Sequence, residues 1–432
     1  MNSSSLPSAA TSSIRHDAEV IGLVGLAHGT SHFFHLMLPP LFPWLMKDFG
    51  LSYTQVGLLM TTFFVISGVG QALAGFVVDR VGSRPVLFFG IGLLALSGVI
   101  LGLSTSFLML FCSAAVAGLG NSIFHPADFT LLNRRIAQPR LGHAFSVHGL
   151  SGNLGWAAAP VFMAGIATVA GWQAAGFAAA AVGAIVLFTL FLRRSMLANA
   201  ATELVVPSHS ELVGEATKDA THQLSFLRST AVWLCFAFFF FSTAAFGILQ
   251  NYAPAILGNV YAMSLVAATG SLTAYLLGSA AGTITGGFLA SRNDRNDRLI
   301  AIALGFSALM ALLLASGLIG AALVFPIMAL MGFGVGAAGP NRDLLVRRAA
   351  TSQFGKNAFG RIYGFVYSGL DVGLAMSPLV FGPVLDGGQF QTALAAVAVM
   401  QVAALCTAIR VGMLARSPSV NAPTGTPATS SD

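Results

Sequence analysis

Along most of this chain the alternation of apolar and polar positions is coarse: apolar runs of about 20 residues or more, separated by short polar turns, with no sustained period-2 stretch. A hydrocarbon core is crossed by about 20 residues of helix, so each run predicts one membrane span. Twelve are expected, at 20–46, 54–79, 84–105, 107–133, 142–166, 172–192, 230–254, 262–290, 299–318, 321–346, 360–384 and 389–411. The first runs into Pro39, Pro40 and Pro43 with no small-residue cleavage site behind it, and so is read as a span and not as a removable signal.

The spans fall into two sets of six. The expected organisation is a disordered cytoplasmic N-terminus at 1–18, a six-helix bundle at 19–192, a cytoplasmic linker at 193–228, a second bundle at 229–416 and a disordered tail at 417–432. The linker carries Glu203, Glu211, Glu215, Lys218 and Asp219, which lipid does not accommodate, and the two ends are rich in Ser, Thr, Ala and Pro. The sequence also repeats. Gly118, Gly120, Pro126, Leu131 and Arg134 recur as Gly332, Gly334, Pro340, Leu345 and Arg348 at one offset of 214. Gly142, Asn153, Gly155 and Pro160 recur as Gly360, Asp371, Gly373 and Pro378 at an offset of 218. Two related halves, with Gly and Pro breaking helices at matching depths, are the architecture of transporters whose site lies between the halves.

Composition agrees: 56% hydrophobic against 8% charged leaves too little polar surface for a water-soluble globule of 432 residues. With the N-terminus inside and the spans alternating, nearly every Lys and Arg falls on one side, Lys47 and Arg342 excepted, which predicts both termini in the cytoplasm of a bacterial inner membrane. The net charge of +6 is then accounted for by anionic lipid and needs no nucleic acid. Cys112, Cys235 and Cys406 lie inside spans with no metal or disulfide spacing. No nucleophile elbow, phosphate loop, CxxC pair or dinucleotide glycine pattern sits in a polar domain, so neither an enzyme nor a cofactor is expected.

The turn between the second and third spans reads GFVVDRVGSRP. Here Gly75, Asp79, Arg80, Gly82 and Arg84 match the loop motif of the major facilitator superfamily, with Ser83 at the first of its two closing basic positions. The chain resembles that superfamily over all but its termini and linker. Within it, Phe124-His125-Pro126, the fifth-span run GHAFSVHGLSGNLGWAAAP and His32-Phe33 are similar to the fosmidomycin-resistance branch. The resemblance implies an all-α fold of two pseudo-symmetric six-helix bundles, acting as a monomer. It implies secondary active transport of a small organic solute by alternating access, proton-coupled, with Asp79 stabilising one of the alternating states through charged contacts. Efflux is favoured by the branch, yet Ala159, Met163 and Ala164 replace glycines of the antiporter pattern, and Ala114 and Ala117 replace the Arg and Gln that many proton-coupled relatives carry. A proton-coupled importer of an organic anion and a non-transporting membrane sensor on the same fold stay open.

Depth selects the site candidates. At 1.5 Å per residue, Asp371 is about 15 Å beyond Arg361, His32 about 18 Å into the first span, His125 about 14 Å from Arg134 and Asn153 about 16 Å beyond Gly142, all near the midplane. A carboxylate there costs at least about 2.5 to 3.5 kcal/mol unless protonated, paired or wet, so Asp371 is expected to carry protons. His28, His32 and His35 recur at i, i+4 and i+7 on one face. That face suits coupling or substrate binding, a helix-packing seam, or a metal, although no Asp, Glu or Cys shares it. Arg342 lies about 7.5 Å from the interface, where it either snorkels to water or accepts a phosphonate or carboxylate. Asp128 is an open case, the Asp343–Arg347 pair is expected to be structural, and the run Phe236 to Phe241 is expected to face lipid.

Overall fold

In the computed structural model the described residues are 13–198, 225–292, 295–354 and 359–414, and among them every regular element is helical. In chain order they are α1 (Ile14–His35), α2 (Phe42–Phe49), α3 (Tyr53–Val81), α4 (Ser83–Gly102), α5 (Phe107–Asn121), α6 (Phe124–Arg135), α7 (Leu141–Ala170) and α8 (Trp172–Leu192), then α9 (Thr230–Tyr261), α10 (Leu265–Arg292), α11 (Asn296–Ala315), α12 (Ala321–Phe354), α13 (Phe359–Asp386) and α14 (Phe390–Leu414). Eleven segments of 19 to 32 residues are long and apolar enough to cross a membrane, α5 and α6 counting as one. The first predicted span, 20–46, is instead divided: α1 stops at His35, a short turn of 3₁₀ helix covers Pro39–Leu41, and α2 follows. The prolines have no N–H to continue the ladder, and the charges and four histidines of α1 lower its hydropathy.

Several expected boundaries move. α1 starts inside the stretch assigned to a disordered terminus, because Ser13 caps it by accepting from the His16 N–H (3.1 Å). Asp17 is fully buried against the Arg140 side chain (2.6 Å) and the Ala137 N–H (3.2 Å). The expected tail, most of the linker with its acidic residues, and the Asp343–Arg347 pairing lie outside what is described. The fourth span breaks at Ser122–Ile123 ahead of Pro126, whereas α12 runs unbroken through the repeat partner Pro340, so the matching prolines do not break their helices alike. Nor does the phenylalanine run face lipid. Phe238 and Phe239 are buried in the core, and Phe236 stacks on Phe365 with ring centres 5.2 Å apart, because α9 is covered by both α13 and α14.

Helix pairing repeats in the two parts of the chain. α1 packs on α7 as α9 packs on α13; α3 on α5 as α10 on α12; α4 on α8 as α11 on α14. The repeated glycines account for this. A Cβ at Gly118 would strike the Phe63 carbonyl of α3, and one at Gly332 the Tyr275 carbonyl of α10. Gly120 abuts Gly90 of α4 and Gly334 abuts Ala303 of α11; Gly155 abuts Gly29 of α1 and Gly373 abuts Phe240 of α9. Lipid gives helices no hydrophobic drive to associate, so backbones that approach through glycine supply the dispersion contacts that hold them.

The most extensive contacts joining the parts are α3 with α13 and its counterpart α7 with α10. At one end the Asp386 carboxylate accepts from the Tyr53 N–H (2.7 Å), the Thr54 N–H (3.0 Å) and the Thr54 hydroxyl (2.5 Å). The Tyr252 hydroxyl donates toward the carbonyls of Tyr53 (3.1 Å) and Pro378 (3.3 Å), and Thr61 donates to the Ala375 carbonyl (2.8 Å). This end is closed.

Candidate functional site

Beyond that closure α3, α6 and α13 diverge around a cavity of about 550 Å³, lined by Gly68, Gln71 and Gly75 of α3, His125 and Phe129 of α6, and Tyr367 and Asp371 of α13 among others. It runs toward the end that bears Arg80, Arg84 and Arg134. Asp371 marks its inner limit: a Cβ on Gly68 would stand 3.2 Å from the Asp371 Cβ, so the carboxylate is wedged where the two parts of the chain meet.

His125 belongs both to this cavity and to a polar cluster behind it. Its Nδ1 pairs with Gln71 Oε1 at 2.8 Å. Behind it the His28 and His148 rings stack with centres 3.5 Å apart, and each turns a nitrogen to Asp128, His28 Nδ1 at 3.3 Å and His148 Nε2 at 3.1 Å from the same carboxylate oxygen. Asp128 is fully buried. His32 lies 4.4 Å from His28 by ring centres and stacks on Trp156 at 4.3 Å. Room for these rings comes from Gly152, where a Cβ would stand 2.7 Å from His32 and 3.1 Å from His28.

His35 is fixed differently. The Trp156 indole can only donate, and it does so to His35 Nδ1 at 3.3 Å, so the ring proton sits on Nε2 and is donated to Asn121 Oδ1 at 2.8 Å. Asn121 in turn donates to the Ser67 hydroxyl (2.7 Å). With both nitrogens engaged, this chain ties α1 to α7, α5 and α3, which is the packing-seam geometry.

The candidates therefore separate. His28, His32, His35 and His125 come together, and Asp371 shares the cavity with His125. Asn153 is half-buried on α7 and does not line the cavity. Arg342 lies with its guanidinium 4.5 Å over the Phe239 ring, in the core around α9 and α13. In the loop motif Gly82 has φ +85° and ψ 156°, a conformation that glycine alone adopts readily, so α3 turns into α4 in one residue; Gly171 does the same between α7 and α8 at φ +89° and ψ 159°. Gly75 lines the cavity, Arg80 is exposed, and Arg84 donates weakly to the Arg194 carbonyl (3.4 Å). Asp79 is in the last turn of α3, and the contacts of its side chain lie outside what is described. Residues that sequence reasoning did not place in the site are His148, Gln71, Asn121 and Trp156. One signal was present, since Asp128 follows His125 by three and shares its helical face.

A family model described as Major Facilitator Superfamily matches residues 24–378. Among curated relatives, an uncharacterised MFS-type transporter, YfnC of Bacillus subtilis, is 25% identical over 87% of each chain. The fosmidomycin resistance protein of Escherichia coli is 27% identical over 65% of this chain and 66% of its own, and the E. coli membrane sensor protein UhpC is 27% identical over 80% of each. A solved structure of a bacterial homologue of the human lysosomal transporter Spinster, inward-facing and unoccupied, superposes with a TM-score of 0.70 at 14% identity, over 93% of this chain and 98% of that one.

Proposed function

The chain belongs to the Major Facilitator Superfamily, and we propose that it exports a small organic solute across the bacterial inner membrane by alternating access, driven by protons. One observation carries the reading: a cavity between the two six-helix halves bears Asp371 from the second and His125 from the first, and lies beyond the end that the Asp386 contacts hold together. In this reading the basic end is cytoplasmic, so the state seen is open inward. Solute enters beside His125 and Gln71, and Asp371 takes up and releases the coupling proton as the cavity changes sides. The fosmidomycin resistance protein among the relatives supports export and points to a phosphonate or another small organic anion as the solute to try first. Asp371→Asn keeps shape and hydrogen bonding but cannot titrate. In proteoliposomes with an imposed pH difference, it should abolish accumulation while preserving substrate-for-substrate exchange. Accumulation that survives the substitution removes Asp371 from coupling.

A sensor is the second reading, favoured by the resemblance to UhpC over four-fifths of both chains. Binding of solute to the purified protein without flux in vesicles selects it.

A further inference from the structure

The cluster behind His125 offers more ligand atoms than its hydrogen bonds use. His32 Nδ1 and Asp128 Oδ1 are buried and have no hydrogen-bond partner, and His28 Nδ1 has only its 3.3 Å contact with Asp128 Oδ2. Buried polar atoms left unpaired are costly, so their gathering here is either a standing penalty or the lining of a site. The chemistry of the set is specific. His28, Asp128 and His148 are three buried side chains from three helices, α1, α6 and α7, that can bring one ligand atom each to within 4.8 Å of one another. A tetrahedral zinc ion with bonds of about 2.0 to 2.1 Å holds its ligand atoms about 3.3 Å apart. The separations to the Asp128 oxygen are 3.3 Å from His28 Nδ1 and 3.1 Å from His148 Nε2.

We propose that His28, Asp128 and His148 form a binding site for one divalent transition-metal ion of the zinc class inside the first six-helix half. Imidazole and carboxylate together suit zinc, cobalt or nickel better than the all-oxygen sets that select magnesium or calcium. The carboxylate that the α1 face lacks is supplied across the helix interface by α6. His125 stands edge-on to His28 with ring centres 5.5 Å apart while also lining the cavity, which gives the ion a way in and places a fourth ligand on that side. A second trio, His28, His32 and His125, is equally compact but brings no negative charge to offset the ion and shares His28 with the first. His35 is excluded, since both its nitrogens are already engaged. The bound ion would staple α1 to α6 and α7, of which α1 and α7 approach closely here through Gly29, Gly152 and Gly155.

The test uses the full chain, purified in detergent with a tag free of histidine and stripped with chelator. Zinc titrated by calorimetry should bind at one equivalent and raise the melting temperature, chelator should reverse both, and cobalt should give the visible absorption bands of a tetrahedral ion. Asp128→Asn and His148→Gln should each weaken binding by more than about 100-fold, beyond what loss of an outer-shell partner produces. His143→Ala and Asp371→Asn should leave it unchanged. Absence of stoichiometric zinc and cobalt binding by the wild-type chain, which needs no variant to fold, overturns the site; so does binding that survives in both cluster variants while they remain monodisperse.

Discussion

At the closed end of the molecule one carboxylate takes most of the hydrogen bonds between the halves. Asp386 at the C-terminus of α13 accepts three hydrogen bonds from the first turn of α3, two of them from backbone N–H groups that have no partner within their own helix. Replacing it with Ala removes an acceptor of helix-capping kind, worth about 1 kcal/mol, and a negative charge at a helix N-terminus, worth up to about 1 kcal/mol more at an exposed position. In the state open at this end the carboxylate is hydrated instead, so nearly the whole loss falls on the closed state. About 2 kcal/mol changes the closed-to-open ratio roughly 30-fold. Thr54→Val removes only the hydroxyl bond, worth about 0.5 to 1.5 kcal/mol, and should shift the ratio by about 2- to 12-fold. Nitroxide labels on Lys47→Cys and Gln389→Cys, exposed at this end in different halves, report the separation by double electron–electron resonance once the three native cysteines are replaced by Ser. Asp386→Ala should add a long-distance population that the parent lacks, and Thr54→Val a smaller one. Distributions identical in parent and Asp386→Ala, in a protein that still transports, refute the claim that this carboxylate holds the end shut.

Three further outcomes are expected. Gly82→Ala places a side chain at φ +85°, costing about 1 to 3 kcal/mol, and should lower the melting temperature measurably, whereas Gly142→Ala, whose Cβ meets open space in a helix, should not; equal effects would remove the strain argument. His125→Ala, which opens the cavity wall and strands Gln71, should weaken solute binding at least several-fold in equilibrium titration, while exposed His143→Ala should match the wild type; the reverse ranking counts against the cavity as the binding place. Asp79→Asn should reach the membrane in normal amount and slow turnover several-fold in vesicles, and wild-type turnover would discard its role in switching states.

How much of this was readable in sequence depended on the range of the interaction. The spans were legible because hydrocarbon imposes one length on every crossing helix. The repeat was legible because close backbone approach admits only glycine, and Gly118 and Gly332, Gly155 and Gly373 mark that approach in both halves. The histidine face of α1 was visible for the same local reason, a 3.6-residue period. What completes it was not. Asp128 and His148 reach it from α6 and α7, and a search for a carboxylate on α1 alone could not find one supplied by a neighbouring helix. Depth arithmetic also has one dimension only: it set Asn153 beside Asp371, yet a residue's depth says nothing of which way its helix turns it, and Asn153 does not line the cavity. The phenylalanine run was misjudged because hydropathy cannot tell lipid from a protein core, the two being equally apolar.

The packing is symmetric and the chemistry is not, and α3 is where the two meet. Its first turn receives Asp386 at the closed end. One helical stretch further on, Ser67 ends the hydrogen-bond chain from His35, Gly68 bears on Asp371, and Gln71 holds His125. Past these, Gly75 opens on the cavity and the helix ends in the motif that turns at Gly82. The helix is continuous from Tyr53 to Val81 and contains no Pro, so a tilt at one end is carried toward the other. Tilting α3 away from α13 to release Asp386 therefore displaces Gly68 from Asp371 in the same motion, and pulls on Asn121 and His125 through Ser67 and Gln71. In the proposed reading a change of protonation at Asp371 and a change of occupancy beside His125 would both act on the helix that carries the closure, which is the physical connection that coupling a proton to a solute requires.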